Sequence, residues 1–195
     1  MQENLSEFRI KIDGKWSSRD MSAELTALTF FHDAFYLASE LYPSRTSGGI
    51  VIPTGGAPIR SALAGTIESA LVEKYAGSGV QLQISEIQYG SPGFQDFLGI
   101  AKIVQEVLNF VRGLISIGHE TEKGKLELQE YEQKILKMKL DNLASFLRTL
   151  RDNGVSEDEV KSIIKNFSPY EDIFIRLSSE KKLIAAENLQ INKAA

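Results

Sequence analysis

The chain contains no cysteine. That excludes disulfides, thiol nucleophiles and cysteine-bound metals, and it fits a reducing compartment, so a cytoplasmic location is expected. Histidine is almost missing as well. The two present, His32 and His119, stand in no HExxH or similar spacing, and no metal site or other cofactor is expected. Positive charge is not in excess, with 22 Lys+Arg against 26 Asp+Glu. No basic run is interleaved with aromatics, so a nucleic-acid partner is not expected. Long charge-free apolar runs are lacking. The best candidate, residues 97–117, carries Lys102, Glu106 and Arg112 near its middle. Each such charge costs about 2.5–3.5 kcal/mol at a bilayer centre. The first residues, MQENLSEFRIKID, have neither the basic nor the apolar region of a signal peptide. A membrane partner is therefore not the expectation.

What is present is ordinary for a globular protein: 43% apolar and 25% charged residues in 195. That is enough chain to bury one large core or two small ones. Glycine and proline crowd the region before residue 118, and charge crowds the region after it. This predicts a mixed α/β part over 1–118 and a charged helical part over 119–195, either as two parts or as one continuous domain.

Phe8-Arg-Ile10-Lys-Ile12 alternates apolar and polar residues, then stops at Asp13-Gly14, as a half-buried strand does. A helix is expected from about Met21 to Tyr42, capped by Asp20 or Ser22 and ended by Pro43. Ile50–Ile52 reads as a short strand. Pro58 opens a helix that Gly77 ends. Val80–Tyr89 alternates with a phase shift near Ser85-Glu86, predicting a strand with a bulge that pairs with residues 8–12. The turn Gly90-Ser91-Pro92-Gly93 then leads into the most apolar helix, 97–117. Its polar residues Lys102, Gln105, Glu106, Asn109, Arg112 and Ser116 keep to one narrow face. From about Glu122 one helix is expected to Asp152. Its seam Leu128, Tyr131, Ile135, Met138, Leu143, Phe146 and Leu150 is close to a coiled-coil heptad with one break near Leu140–Leu143. A capping box at Ser156–Glu159 opens a short helix, and Ser168-Pro169 opens another. A last segment runs through Leu183 and Leu189.

The fold class these patterns predict is α+β. A small antiparallel or mixed sheet packs on helices, and a mainly helical C-terminal half follows with a long helical hairpin of 97–117 on 125–151. In outline, over residues 8–117, the order of elements resembles small bacterial proteins in general, and this likeness implies no activity.

Candidate chemistry is sparse. In IVIPTGGAPIRSA, the residues Thr54, Gly55, Gly56, Arg60 and Ser61 stand at a helix N-terminus, where a phosphate or carboxylate finds free N–H groups. The segment matches neither GxxxxGK[ST] nor GxGxxG, and a tight turn needing positive φ is the simpler explanation. Ser91 in YGSPG is no nucleophile elbow, because Pro92 lacks the N–H an oxyanion hole would use. Carboxylates of the C-terminal half stand beside lysines as solvated helix faces do. Trp16 is read as packing over the sheet edge or first helix, or else as an exposed contact residue.

No catalytic set emerges, so a non-enzymatic interaction or oligomerisation subunit of a bacterial assembly is the leading expectation. The expected contact residues are Val104, Val107, Leu108 and Val111 of the apolar helix and Tyr131, Ile135 and Met138 of the following seam. The partner is then another protein or a second copy. Two alternatives remain: a sensor of small anions, such as a nucleotide or phosphate, at Thr54–Ser61, and a membrane-active effector that inserts helix 97–117.

Overall fold

The computed structural model describes residues 5–36, 38, 82–123, 128–152 and 157–189. Among them the order is β1 (Leu5–Ile12), α1 (Ser18–Tyr36), β2 (Gln83–Gln88), β3 (Gly93–Ile100), α2 (Ala101–Lys123), α3 (Leu128–Asp152), α4 (Glu157–Ser179) and β4 (Leu183–Leu189). The fold is α+β: a four-stranded antiparallel sheet, ordered β2-β3-β1-β4, packed against four helices. The C-terminal half is mainly helical.

The sheet's buried face follows from period-two alternation. Phe8, Ile10 and Ile12 of β1 point inward, and Phe8 and Ile10 lie opposite Phe97 and Gln95 of β3. The rings of Phe8 and Phe97 stack at 5.2 Å. On the other face Arg9 grips Asp96 with two bonds of 2.7 Å and lies over the Phe94 ring at 3.6 Å. The bulge expected near Ser85-Glu86 is present, as a register shift between Ile84 and Glu86.

The apolar helix is covered by its own chain. Ile103, Val104, Val107, Leu108, Val111 and Leu114 of α2 are all buried in the single core. α2 meets β1, β3 and β4 on one side and α1, α3 and α4 on others. The α2–α3 hairpin is antiparallel. Asn142 Nδ2 donates to the Phe110 carbonyl at 3.0 Å, over the gap left by Gly113. Gly118 lets α2 and α4 touch, since a Cβ there would lie 2.6 Å from the Ile175 carbonyl oxygen. Rings of Phe31, Phe35, Phe110, Phe146, Phe167 and Phe174 meet edge-on or tilted at the centre.

Several expected boundaries are corrected. Residues 93–100 form strand β3, so YGSPG closes a β2–β3 hairpin and the apolar helix begins at Ala101. The inward Gln95 and Gly99 disguise β3 by interrupting its apolar alternation. Strand 80–89 does not pair with 8–12, because β3 lies between them. The first helix starts earlier, at Ser18, behind a box in which the Ser17 hydroxyl accepts from Asp20 N and donates to Asp20 Oδ2. Pro169 lies inside one continuous α4 and does not start a new helix. The last segment is a strand, β4. Beside β1 it ties the expected parts 1–118 and 119–195 into one sheet. The expected strand at 50–52 and helix at 58–76 lie outside the described residues.

Candidate functional site

α3 changes character halfway. Its second half is core, with Leu143, Phe146, Leu147 and Leu150 all buried. Its first half, residues 132–142, is mostly exposed. Leu136 is 58% exposed and Leu140 39%, one helical turn apart. Ile135 and Met138 are partly buried beside them, packed against the core. A shallow groove of about 340 Å³ runs along this half, between α3, α4 and the end of α2. Ile135, Leu136 and Ile175 make its apolar floor, and Lys139 crosses it to Asp172 at 2.5 Å. Behind that pair Glu171 is almost fully buried. Burial pushes its carboxyl up to about 7, against the smaller opposing pull of Lys139.

The residues expected from sequence divide sharply around this surface. Val104, Val107, Leu108 and Val111 are inside the core, where no partner reaches them. The reason is geometric: α2 is surrounded by three helices and the sheet, so its wide apolar circumference has a neighbour on every side. Ile135 and Met138 border the groove. The Tyr131 side chain and the whole of Thr54, Gly55, Gly56, Arg60 and Ser61 lie outside what is described. Leu136 and Leu140 were not singled out by the heptad reading. The available signal was Ile135-Leu136: adjacent apolar residues on a helix point about 100° apart, so both cannot face one core.

Two other constellations stand out. The turns Gly14-Lys-Trp16 and Tyr89-Gly90 meet at one end of the sheet around a cleft of about 420 Å³, with Trp16, Met21 and Tyr89 on its walls. Its polar atoms are committed to the protein. Trp16 Nε1 donates to the Asp13 carbonyl at 3.0 Å, Ser91 Oγ donates to Asp13 Oδ1, and Tyr89 contacts Met21 Sδ. Next to it, the Lys182 ammonium, Ser17 and the Arg176 guanidinium hold the Asp20 carboxyl well below the usual range. This network fastens the start of α1 to the α4–β4 turn.

The second constellation is buried between α1 and β3. Glu24, His32 and Gln95 are all but inaccessible. Burial pushes the Glu24 carboxyl up to about 8, only partly offset by Gln95. His32 Nδ1 lies 3.0 Å from Asp33 Oδ1. Its Nε2 points at Gly99, where a Cβ would stand 3.6 Å away. His119 Nε2 lies 3.2 Å from the Leu183 carbonyl and Arg112 Nε donates to the Ala186 carbonyl at 2.7 Å, so both α2 side chains cover the outer edge of β4. Among the described residues no group of three or more His, Asp or Glu is arranged for a metal ion. No helix among them is long and apolar enough to cross a membrane.

Comparison of the chain with protein-family models, with curated proteins and with solved structures finds no match.

Proposed function

We propose that this protein is a non-enzymatic interaction or oligomerisation subunit of a bacterial-type assembly, and that the first half of α3 is its contact surface. One observation carries the reading. Leu136 and Leu140 stay exposed on a helix whose other large apolar residues, Ile135, Met138, Leu143, Phe146, Leu147 and Leu150, are buried or half-buried, beside a groove with an apolar floor. Single exposed leucines need no explanation, but a paired apolar patch along a groove, rimmed by charge, has the anatomy of an interface. The buried acids support the non-enzymatic part. Glu24 is sealed inside the core, and Glu171 is buried behind the ion pair that crosses the groove, so neither carboxyl is open to a substrate.

The test is a photo-crosslinking amino acid at position 136, introduced into the full chain in its native cell, with exposed position 161 as control. A discrete adduct formed from 136 and not from 161 is the expected result. No adduct from 136 removes the reading.

A further inference from the structure

Resting on the reading above, we infer that the groove along α3 is regulated by a single proton on Glu171. With the proton on, Lys139 is strapped across the groove to Asp172. With the proton off, Glu171 draws the Lys139 ammonium inward and the groove opens. The placing of the charges carries this. Glu171 is buried, and its Oε1 has no hydrogen-bond partner among the described residues. Asp172, the next residue, points about 100° away around α4. Its side chain is 63% exposed. Yet Lys139, whose charge also acts on Glu171, sits on Asp172 at 2.5 Å.

A buried ionised carboxylate attracts a cation far more strongly than an exposed one, because little water screens it. A lysine left on the exposed neighbour is therefore the arrangement of a neutral Glu171. Removing the proton reverses the preference. An unpaired buried charge is costly, and the nearest relief is the ammonium held one residue away. The flexible four-carbon stem of Lys139 can answer, and that stem now crosses the apolar floor of Ile135, Leu136 and Ile175. The charged groups that act on Glu171 are Lys139 of α3 and Asp172 of its own helix. Those on the other elements packed against α4 are engaged elsewhere. On α2, Arg112 and His119 reach carbonyls of β4, and Glu120 pairs with Lys134. On α1, Asp20 is held by Arg176 and Lys182, and Glu24 lies beside Gln95 of β3. On β4, Glu187 pairs with Lys11. Because burial places the Glu171 carboxyl at about 7, the strap responds around neutral pH.

The experiment uses the full chain. Carbon resonances of the Lys139 side chain and the Glu171 carboxyl, followed by NMR across pH, are expected to move together with one midpoint near neutrality. Glu171→Gln keeps the shape of the protonated acid and is expected to abolish the Lys139 titration, whereas Glu24→Gln is expected to leave it. The photo-crosslinker at position 136, in native-cell lysate, is expected to give about tenfold more adduct at about pH 8 than at about pH 6, as the ionised fraction of a group titrating midway does. Asp172→Asn, which cuts the strap, is expected to give the higher yield at both. A Glu171 carboxyl that titrates near its ordinary value, about 4.3, or a Lys139 signal indifferent to Glu171→Gln, overturns the inference. An adduct of equal yield at both pH values also overturns it and leaves the contact-surface reading standing. No adduct at either pH overturns both.

Discussion

α2 and α3 lie side by side, antiparallel, and they treat apolar surface in opposite ways. α2 carries the widest apolar face in the chain and leaves almost none of it in water. α3 looks more polar, with glutamates, lysines and glutamines along its length, yet it leaves Leu136 and Leu140 uncovered. Hydrophobic content therefore does not locate exposed apolar surface. A helix apolar on most sides is a core helix once enough neighbours surround it. The exposed apolar pair lies on the half of α3 that, among the described residues, borders α2 and α4.

The comparison can be broken most severely at Val107. Val107→Asp places a charge where the side chain is fully buried. The expected outcome is loss of the cooperative unfolding transition in a urea titration followed by circular dichroism, because an unpaired buried charge costs several kcal/mol. If the variant melts like the wild type, α2 is not the core element described.

Truncation within the core comes next. Leu114→Ala is expected to destabilise by about 2–5 kcal/mol, read as a lower urea midpoint at unchanged slope. Leu114 is buried, unlike its counterparts on the open half of α3.

A smaller effect separates Asp20 and Glu24 of α1. The folded-state pKa of Glu24 is raised to about 8. Between its unfolded value, near 4.3, and about 8, the folded state holds more protons than the unfolded one. Stability from this group is therefore full below the unfolded value and lost as pH rises through 8. Asp20 is shifted the other way. Its contribution is present above an unfolded value near 3.9 and lost as pH falls below it. Glu24→Gln should flatten the alkaline limb of a stability–pH profile, and Asp20→Asn the acidic limb. Limbs unchanged in both variants would contradict these placements.

The smallest expected change is at Leu136. Leu136→Ala should move the unfolding free energy by no more than about 0.5 kcal/mol, since the side chain is mostly in water already. A core-sized loss there would make α3 as buried as α2 and erase the contrast.

Legibility in the sequence followed the same divide. Strand β1, the β2 bulge, the apolar helix, its antiparallel partner and the α+β class could all be read, because each rests on one clear period or one phase break. β3 and β4 could not. Gln95 and Gly99 occupy inward positions of β3, one beside Glu24 and the other close under Val104, where a Cβ would stand 3.0 Å away, so tertiary demands override the alternation. β4 is Ala-rich and short. Its place is fixed by β1 and by the α2 side chains that cover it, none of which local pattern reveals. The open patch on α3 was half legible: the seam residues Ile135 and Met138 mark its border, but only the packing shows that Leu136 and Leu140 stay exposed.

β1 and β4 have a consequence for synthesis. Glu7 pairs with Leu189, so the sheet's third and fourth strands are drawn from opposite ends of the described chain. A growing polypeptide makes β1 before β4 and must hold the β4-facing edge of β1 vacant until the helices and strands between them have been translated. Contacts this distant in sequence form slowly. Meanwhile the bare edge, with Phe8, Ile10 and Ile12 on one face, is a template for strands of neighbouring nascent chains. A ribosome stalled between α4 and β4 would thus hold a chain with α1–α4 made and one edge of β1 still unguarded.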